Sequence, residues 1–425
     1  MLALQIAAGF LMNILLFEDD RVGQLAPITI GRPAYAVTCG SFRLIVVARE
    51  LGPLRRFVRP HLRAVEEAAA PVETVREGTL EGPTLLVNSR LVPSLAALAK
   101  LRELIAADRE GIVESGGSVA AAVVKRAIEL PPFGDGTALS SLVRTLALPP
   151  IAAELPLFDY PHDILRFHLQ TLRENLEHRL RDGFREVRDG VFVAEGVSFG
   201  EHLVTDTRGG PIVIDDGASL GPFCYLVGPI YIGPGARLNE HAALKDGVAL
   251  GERAKVGGEV EASIIERFSN KQHHGFLGHS YIGSWVNLGA GTSNSDLKNT
   301  YGPVNMEYAG RKVPTAMQFV GCFIGDYSKT AVNSSIFTGK TIGACSMVYG
   351  FVTTNVPSFT NYARSFSQVT ESPVEVAISA QARMFARRGI QQRPCDEQLL
   401  RDMYELTRPE RANYGEPLPP EPLSL

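Results

Sequence analysis

Apolar residues recur every six positions through the middle of this chain: Ile214, Leu220, Leu226, Ile232, Leu238, Leu244, Leu250 and Val256. After an irregular stretch the beat returns at Ile324, Thr330, Ile336, Ile342 and Val348. A helix repeats every 3.6 residues and a strand every two, so neither gives this spacing. A coil with three short flat faces does, because each face turns one side chain inward and stacked coils bury a continuous apolar column. Small or turn-prone residues follow many of these positions, as in Ile232-Gly233-Pro234-Gly235, Leu250-Gly251 and Ile342-Gly343, where the backbone must round a corner. The pattern specifies a parallel β-helix of hexapeptide repeats over residues 191–357.

A chain of 425 residues with 45% hydrophobic content has room for a second compact unit. Residues 13–160 alternate strand-like and helix-like patterns, which predicts an α/β layer domain. Ile14 to Phe17, Thr84 to Val87 and Val119 to Val124 are apolar runs suited to buried parallel strands. Leucines at 95, 98, 101 and 104 behind Ser94 predict a capped amphipathic helix. A linking helix is expected within 161–190, with its apolar side spread over Asp163 to Arg181. Residues 358–425 read as two amphipathic helices, over 373–388 and 395–407, and a tail rich in Pro and Glu.

The apolar opening, residues 1–12, has no basic residue before it and reads as an extension ahead of the first strand. No stretch is apolar for long enough to span a bilayer, so no membrane partner is expected. A net charge of -4 without a basic stripe argues against nucleic acid. Five cysteines without a CxxC pair, one necessarily odd, fit free thiols and a cytoplasmic compartment.

The repeat breaks over residues 268–317, and interruptions of a solenoid are where function concentrates. Here stand Asn270-Lys271-Gln272-His273-His274-Gly275-Phe276-Leu277-Gly278-His279, then Val286-Asn287-Leu288-Gly289-Ala290-Gly291-Thr292, then residues 294–301. An imidazole titrating near neutrality can accept a proton from an amine, which is no nucleophile while protonated. Gly289, Ala290 and Gly291 would let an acyl carrier lie along the backbone, with N–H groups available to an oxyanion.

These segments, with Ile324-Gly325-Asp326-Tyr327-Ser328-Lys329-Thr330, resemble the bifunctional N-acetylglucosamine-1-phosphate uridyltransferase/glucosamine-1-phosphate acetyltransferase family, in particular its divergent bacterial branch of sugar nucleotidyltransferases. The resemblance covers residues 160–357 well and the N-terminal domain loosely. It implies an α/β nucleotidyltransferase-like domain of GT-A type followed by a left-handed parallel β-helix with C-terminal helices, assembled as a homotrimer. It implies acetyl-CoA as co-substrate and an amino-sugar phosphate, with a nucleotide sugar as a further ligand. By the same resemblance His273 is the general base, Asn287 contacts the amino sugar, Gly289, Ala290 and Gly291 border the acetyl-CoA channel, and Lys298, Asn299 and Tyr301 hold the sugar phosphate. Glu261 departs from the pattern, standing where a phosphate-binding lysine is expected.

The N-terminal domain departs further. After Ile14 to Phe17 comes Glu18-Asp19-Asp20-Arg21, without the glycine pair that cradles phosphates in this family. Pro27-Ile28-Thr29-Ile30-Gly31-Arg32-Pro33 does match the divergent branch and offers Arg32 either as a phosphate or carboxylate clamp or as a structural ion-pair arginine. Working enzymes of this fold hold Mg2+ with an aspartate where this chain has Leu85-Leu86-Val87-Asn88-Ser89-Arg90, which puts an amide and a cation at the metal position. The domain would then bind a nucleotide sugar, scaffold the assembly, or act as a sugar-1-phosphate nucleotidyltransferase.

Two rival readings come from the solenoid itself. His274 and His279, five residues apart, with His241 upstream, could hold zinc between coils as in γ-class carbonic anhydrases. Alternatively the stacked flat faces could serve as a non-catalytic trimeric platform.

Overall fold

The computed structural model describes residues 12–69, 72–75, 78–131, 136–181 and 183–414. The opening run up to residue 11 and the tail from 415 lie outside the described residues. The chain divides into two compact units, and the division does not follow chain order. Among the described residues, the first holds those up to 22, 33–37 and 42–159; the second holds 23–32, 38–41 and those from 160 onward.

In the first unit, Asn13–Phe17 runs through a six-stranded sheet, parallel to Leu54–Phe57 on one side and Thr84–Asn88 on the other. Its apolar residues are buried whichever face they point to, as a strand covered on both sides requires. Ser118–Val124 departs from the expected parallel arrangement. It is antiparallel to Thr84–Asn88 and to Gly111–Ser115. Only Gly116 and Gly117, at φ 56 and 76, connect Gly111–Ser115 to Ser118–Val124, so the chain must double straight back. A continuous apolar run reports burial on both faces and carries no information on direction. The expected helix spans Leu95–Ala107, starts where Ser94 Oγ accepts the Ala97 N–H at 3.1 Å, and buries Leu98, Leu101 and Leu104.

The second unit is a left-handed parallel β-helix preceded by helix Pro161–Arg179 and followed by helices Val374–Ala386 and Pro394–Leu406. Ile214, Ile232 and Leu250 lie in register on the first sheet, eighteen residues per coil. Leu220, Leu238 and Val256 do so on the second, and Leu226, Leu244 and Val260 on the third. These inward side chains form one core that continues through Ile282, Ile324, Ile342 and Val348.

The coil does not break at residue 268. Ile265 and Ile282 continue the first sheet, Asn270–Lys271 the second and Phe276–Gly278 the third. The chain leaves the solenoid only after Ser293–Asn294, makes the hairpin Asn305–Tyr308 with Arg311–Pro314, and returns at Cys322–Ile324. Two effects hide these coils from a six-residue count. Leu250 and Ile265 are partners only fifteen residues apart, so the beat shifts phase. Polar residues also take inward slots: Lys271 pairs with Val256, and Asn294 with Ile336.

Candidate active site

The shortened coil builds the site. Between the second and third sheets, neighbouring coils use four residues to turn, as at 239–242 and 272–275, whereas Gly257 and Gly258 make the same corner in two. Gly258 is left-handed at φ 69, and a Cβ there would lie 2.8 Å from His273 O. Glycine is required here because the next turn presses against the backbone.

That next turn carries His273. Its three consecutive carbonyls are each held by a donor from a different place. Asn239 Nδ2 donates to Gln272 O at 2.9 Å, Lys271 Nζ to His273 O at 3.1 Å, and the Gly291 N–H to His274 O at 3.0 Å. The peptide is therefore fixed while the His273 side chain is exposed and has no hydrogen-bond partner among the described residues. Lys271 is 3% exposed, and its ammonium also reaches Gly257 O at 2.8 Å. Burial holds its pKa down to about 8, against a smaller opposing pull from Glu259.

Asn287 lies on the next rung of the same face, between Asn270 and Lys329, and is exposed. Asn270 Nδ2 donates to Asn287 Oδ1 at 3.3 Å, and Arg388 donates to Asn270 Oδ1 at 2.8 Å. Gly289, Ala290 and Gly291 form the following corner. The expectation that this run offers several free N–H groups is corrected. Gly289 donates to Thr330 and Gly291 to His274, so Ala290 alone keeps an unused N–H among the described residues. The glycines answer to coil packing: a Cβ at Gly289 would sit 2.6 Å from the Ala331 backbone, and one at Gly291 2.1 Å from Asn333 Oδ1.

Lys298, Asn299 and Tyr301 sit on the excursion that leaves past Asn294. His273 precedes the strand Phe276–Gly278, whereas the excursion begins beside the residue that follows it, where His279 Nδ1 meets Asp296 Oδ2 at 2.8 Å. Lys298 Nζ is held by Pro303 O at 2.8 Å, Asn299 is exposed, and Tyr301 is 69% exposed. The structure thus places His273 on one coil and Asn287 and Ala290 on the next, and sets Lys298, Asn299 and Tyr301 on the excursion toward the far end of the strand Phe276–Gly278. Glu261 and Glu259 face Lys245, with Nζ to oxygen distances of 3.7 and 2.6 Å.

Arg32 is not a clamp for ligand. It belongs to the second unit, where it is 9% exposed and bonded to both oxygens of Asp326, to Ser284 Oγ at 2.8 Å and to Glu266 at 3.2 Å. A guanidinium engaged by two buried carboxylates has no face left for a phosphate. The zinc reading also lacks its ligands: His279 is bound to Asp296 and stacks on Phe319, His241 stacks on Phe223, and no group of three His, Cys, Asp or Glu side chains that could hold a metal occurs among the described residues.

The residues at the expected Mg2+ position of the first unit do not fit a divalent cation. Arg90 is fully buried, and its guanidinium grips both Asp19 oxygens at 2.8 and 2.7 Å and Asp159 at 3.0 Å. Asn88 Nδ2 donates to Asp19 at 2.9 Å, and its Oδ1 accepts the Arg90 N–H at 3.0 Å. Asp19, held below its usual pKa by Arg90 and Asn88 against the cost of burial, is already neutralised by a side chain of the protein.

The fold is that of a two-part chain, an α/β nucleotidyltransferase-like unit joined to a hexapeptide β-helix. Residues 14–182 match the sugar nucleotidyl transferase family, and the chain resembles bifunctional enzymes that pair this activity with acetyl transfer. It is 31% identical over 142 residues to the bifunctional sugar-1-phosphate nucleotidylyltransferase/acetyltransferase of Sulfurisphaera tokodaii, 33% of this chain and 35% of that one. It is 29% identical over 156 residues to the bifunctional protein GlmU of Cupriavidus pinatubonensis, 36% of this chain and 31% of that one. The matches thus span about a third of the length of these relatives. Among solved structures, Francisella novicida UDP-N-acetylglucosamine acyltransferase overlaps 55% of this chain and 79% of its own at a TM-score of 0.36 and 15% identity, a similarity too low to carry weight. No described helix is long and apolar enough to cross a membrane.

Proposed function

We propose that this protein is an acetyl-CoA-dependent N-acyltransferase acting on an amino-sugar 1-phosphate in nucleotide-sugar synthesis, working as a cytoplasmic homotrimer. The observation that carries the reading is the exposed, unpartnered imidazole of His273 on a backbone turn fixed at three carbonyls. A base held in place while its side chain stays accessible suits proton abstraction. As the amine nitrogen attacks the thioester carbon, His273 takes its proton; as the C–S bond breaks, the imidazolium returns that proton to the leaving thiolate. The Ala290 N–H is the donor available to the tetrahedral oxyanion, and Asn287 is placed to contact the sugar. Four buried free thiols fit a reducing compartment.

The match over residues 14–182 favours a second reading, sugar-1-phosphate nucleotidyl transfer by the first unit. The Arg90–Asp19 pair weighs against it, and the reading adopted for that unit is nucleotide-sugar binding or scaffolding without metal-dependent chemistry.

The test is thiol release from acetyl-CoA on adding glucosamine-1-phosphate. Wild type should release thiol, and His273→Ala should lower kcat by about 100- to 10,000-fold, the usual contribution of a general base. Silence of folded wild type across a panel of amino-sugar phosphates would refute acyl transfer.

A further inference from the structure

The column of the β-helix contains a cation that its packing does not call for. On the second sheet the inward positions run Leu220, Leu238 and Val256, and the next partner in register is Lys271. Leu288, on the coil above, is again part of the apolar core. An aliphatic residue at 271 would continue the column and avoid the cost of desolvating an ammonium. The ammonium reaches two oxygens, Gly257 O and His273 O, under the one corner between the second and third sheets in the 239–275 stretch that has two residues instead of four. A Cβ on Gly258 would lie 3.0 Å from Lys271 Nζ, so the shortened corner brings the backbone down onto the amine.

We propose that Lys271 is a positioning residue for His273: its buried ammonium ties the peptide that bears the base to the shortened coil beneath it. The proposal rests on the acyl-transfer reading. Lys271 has no access to a substrate and acts only through the turn. Asn239, from the coil beyond the short corner, performs the neighbouring tie to Gln272 O. Gly257 links the two, because its O accepts from Lys271 and a Cβ on it would lie 3.3 Å from Asn239 Cβ. The ties hold where a peptide turn would otherwise pivot, between the strands Asn270–Lys271 and Phe276–Gly278.

A purely structural lysine and a positioning lysine differ in what their loss does. Lys271→Met keeps the volume and removes the buried charge, so the melting temperature should hold or rise, as it often does when a buried charge is replaced by an apolar group. If the lysine positions His273, kcat for thiol release should nonetheless fall about 10- to 100-fold, the scale of a misplacement near 1 Å, with KM for acetyl-CoA unchanged. Wild-type kcat should also decline above about pH 8, where the ammonium loses its proton and its carbonyl bonds weaken. Glu259 is the charged neighbour that opposes this loss, and the Lys271→Met profile should lack the alkaline limb.

Asn239→Ala removes the second tie without touching the core. Its effect on kcat should be less than multiplicative with that of Lys271→Met, as expected of two groups that hold one turn. If Lys271→Met does not fold, Gly258→Ala is read instead. Its Cβ would press on both partners of the tie, His273 O at 2.8 Å and Lys271 Nζ at 3.0 Å, and the same kcat loss at constant KM is expected. Active wild type with Lys271→Met at full kcat, or a kcat loss that only tracks a lowered melting temperature, would overturn the positioning role and leave acyl transfer standing. Silent wild type would overturn both.

Discussion

Replacing Arg32 by Met should damage stability far more than substrate binding. Arg32, Glu266 and Asp326 have side chains 10%, 5% and 6% exposed, so the substitution removes one cation from between two buried carboxylates. Some donors remain. Ser284 N–H still reaches Asp326 at 2.8 Å, and Glu266 keeps the Tyr281 hydroxyl at 2.6 Å and the Thr38 N–H at 3.0 Å. Uncompensated buried charge after loss of one partner costs about 3–5 kcal/mol, and the surviving donors argue for the lower half of that range. In a unit of this size about 3–4 kcal/mol corresponds to a fall in melting temperature of roughly 6–16 °C. The pH dependence has a definite sign. Carboxyls left without a cation in the interior have folded pKa values above their unfolded ones, so their contribution favours folding at low pH and is lost as pH rises. The deficit should therefore shrink between pH 7 and pH 5, by at most about 1.4 kcal/mol per unit for each carboxyl that takes up a proton. Thermal unfolding of both proteins at several pH values, with KM for the sugar phosphate measured on the folded variant, decides the matter. A variant that melts with wild type but binds sugar phosphate at least tenfold more weakly would restore Arg32 as a ligand clamp and refute the structural account.

His168 predicts acid sensitivity at another place. It is fully buried, with Nδ1 accepting the Gly40 N–H at 2.9 Å and Nε2 3.0 Å from Gly247 O, and burial depresses its pKa to about 4. A depressed folded pKa means that stability present above the unfolded value near 6.5 is lost as pH falls toward 4; chemical denaturation at pH 7, 5.5 and 4.5 should show the loss, and His168→Gln should flatten it. For the first unit, Mg2+ should not raise the unfolding temperature. A site of about 1 mM affinity would contribute about 1.4 kcal/mol at about 10 mM Mg2+, so a shift of that size in calorimetry would contradict the closed Arg90–Asp19 pair.

The solenoid was legible because one side chain per face must point inward, and the aliphatics from Ile214 to Val256 satisfy that without exception. Legibility failed where two conditions lapsed together. The two-residue corner at Gly257–Gly258 shifted the phase, and Lys271 and Asn294 filled inward slots with polar groups, so continuous coils read as an interruption. His273, Asn287 and the 289–291 run were read as candidates from residue chemistry and from a resemblance. Their hydrogen-bond economy was not, because whether an N–H is free depends on the coil above it; Gly289 and Gly291 are spent on Thr330 and His274, which leaves Ala290. Arg32 shows the same limit in charge: a sequence displays a cation but not the two carboxylates, one of them 294 positions away, that engage it. The strand Ser118–Val124 shows it for direction, which the Gly116-Gly117 turn decides and the apolar run does not.

The placement of residues 23–32 and 38–41 within the second unit bears on how the protein is made. At about 5–20 residues per second, roughly 15–60 s of synthesis separate Arg32 from Asp326. The early segments emerge long before the coils that receive them and must remain uncommitted until the late rungs have stacked. Closure of the β-helix around Glu266 and Asp326 then waits on a part of the chain translated near its beginning. A shortened polypeptide starting at residue 160 would contain every coil of the solenoid yet lack the cation for two interior acids, so separate expression of the two halves would give a second half that completes itself only when the first is supplied.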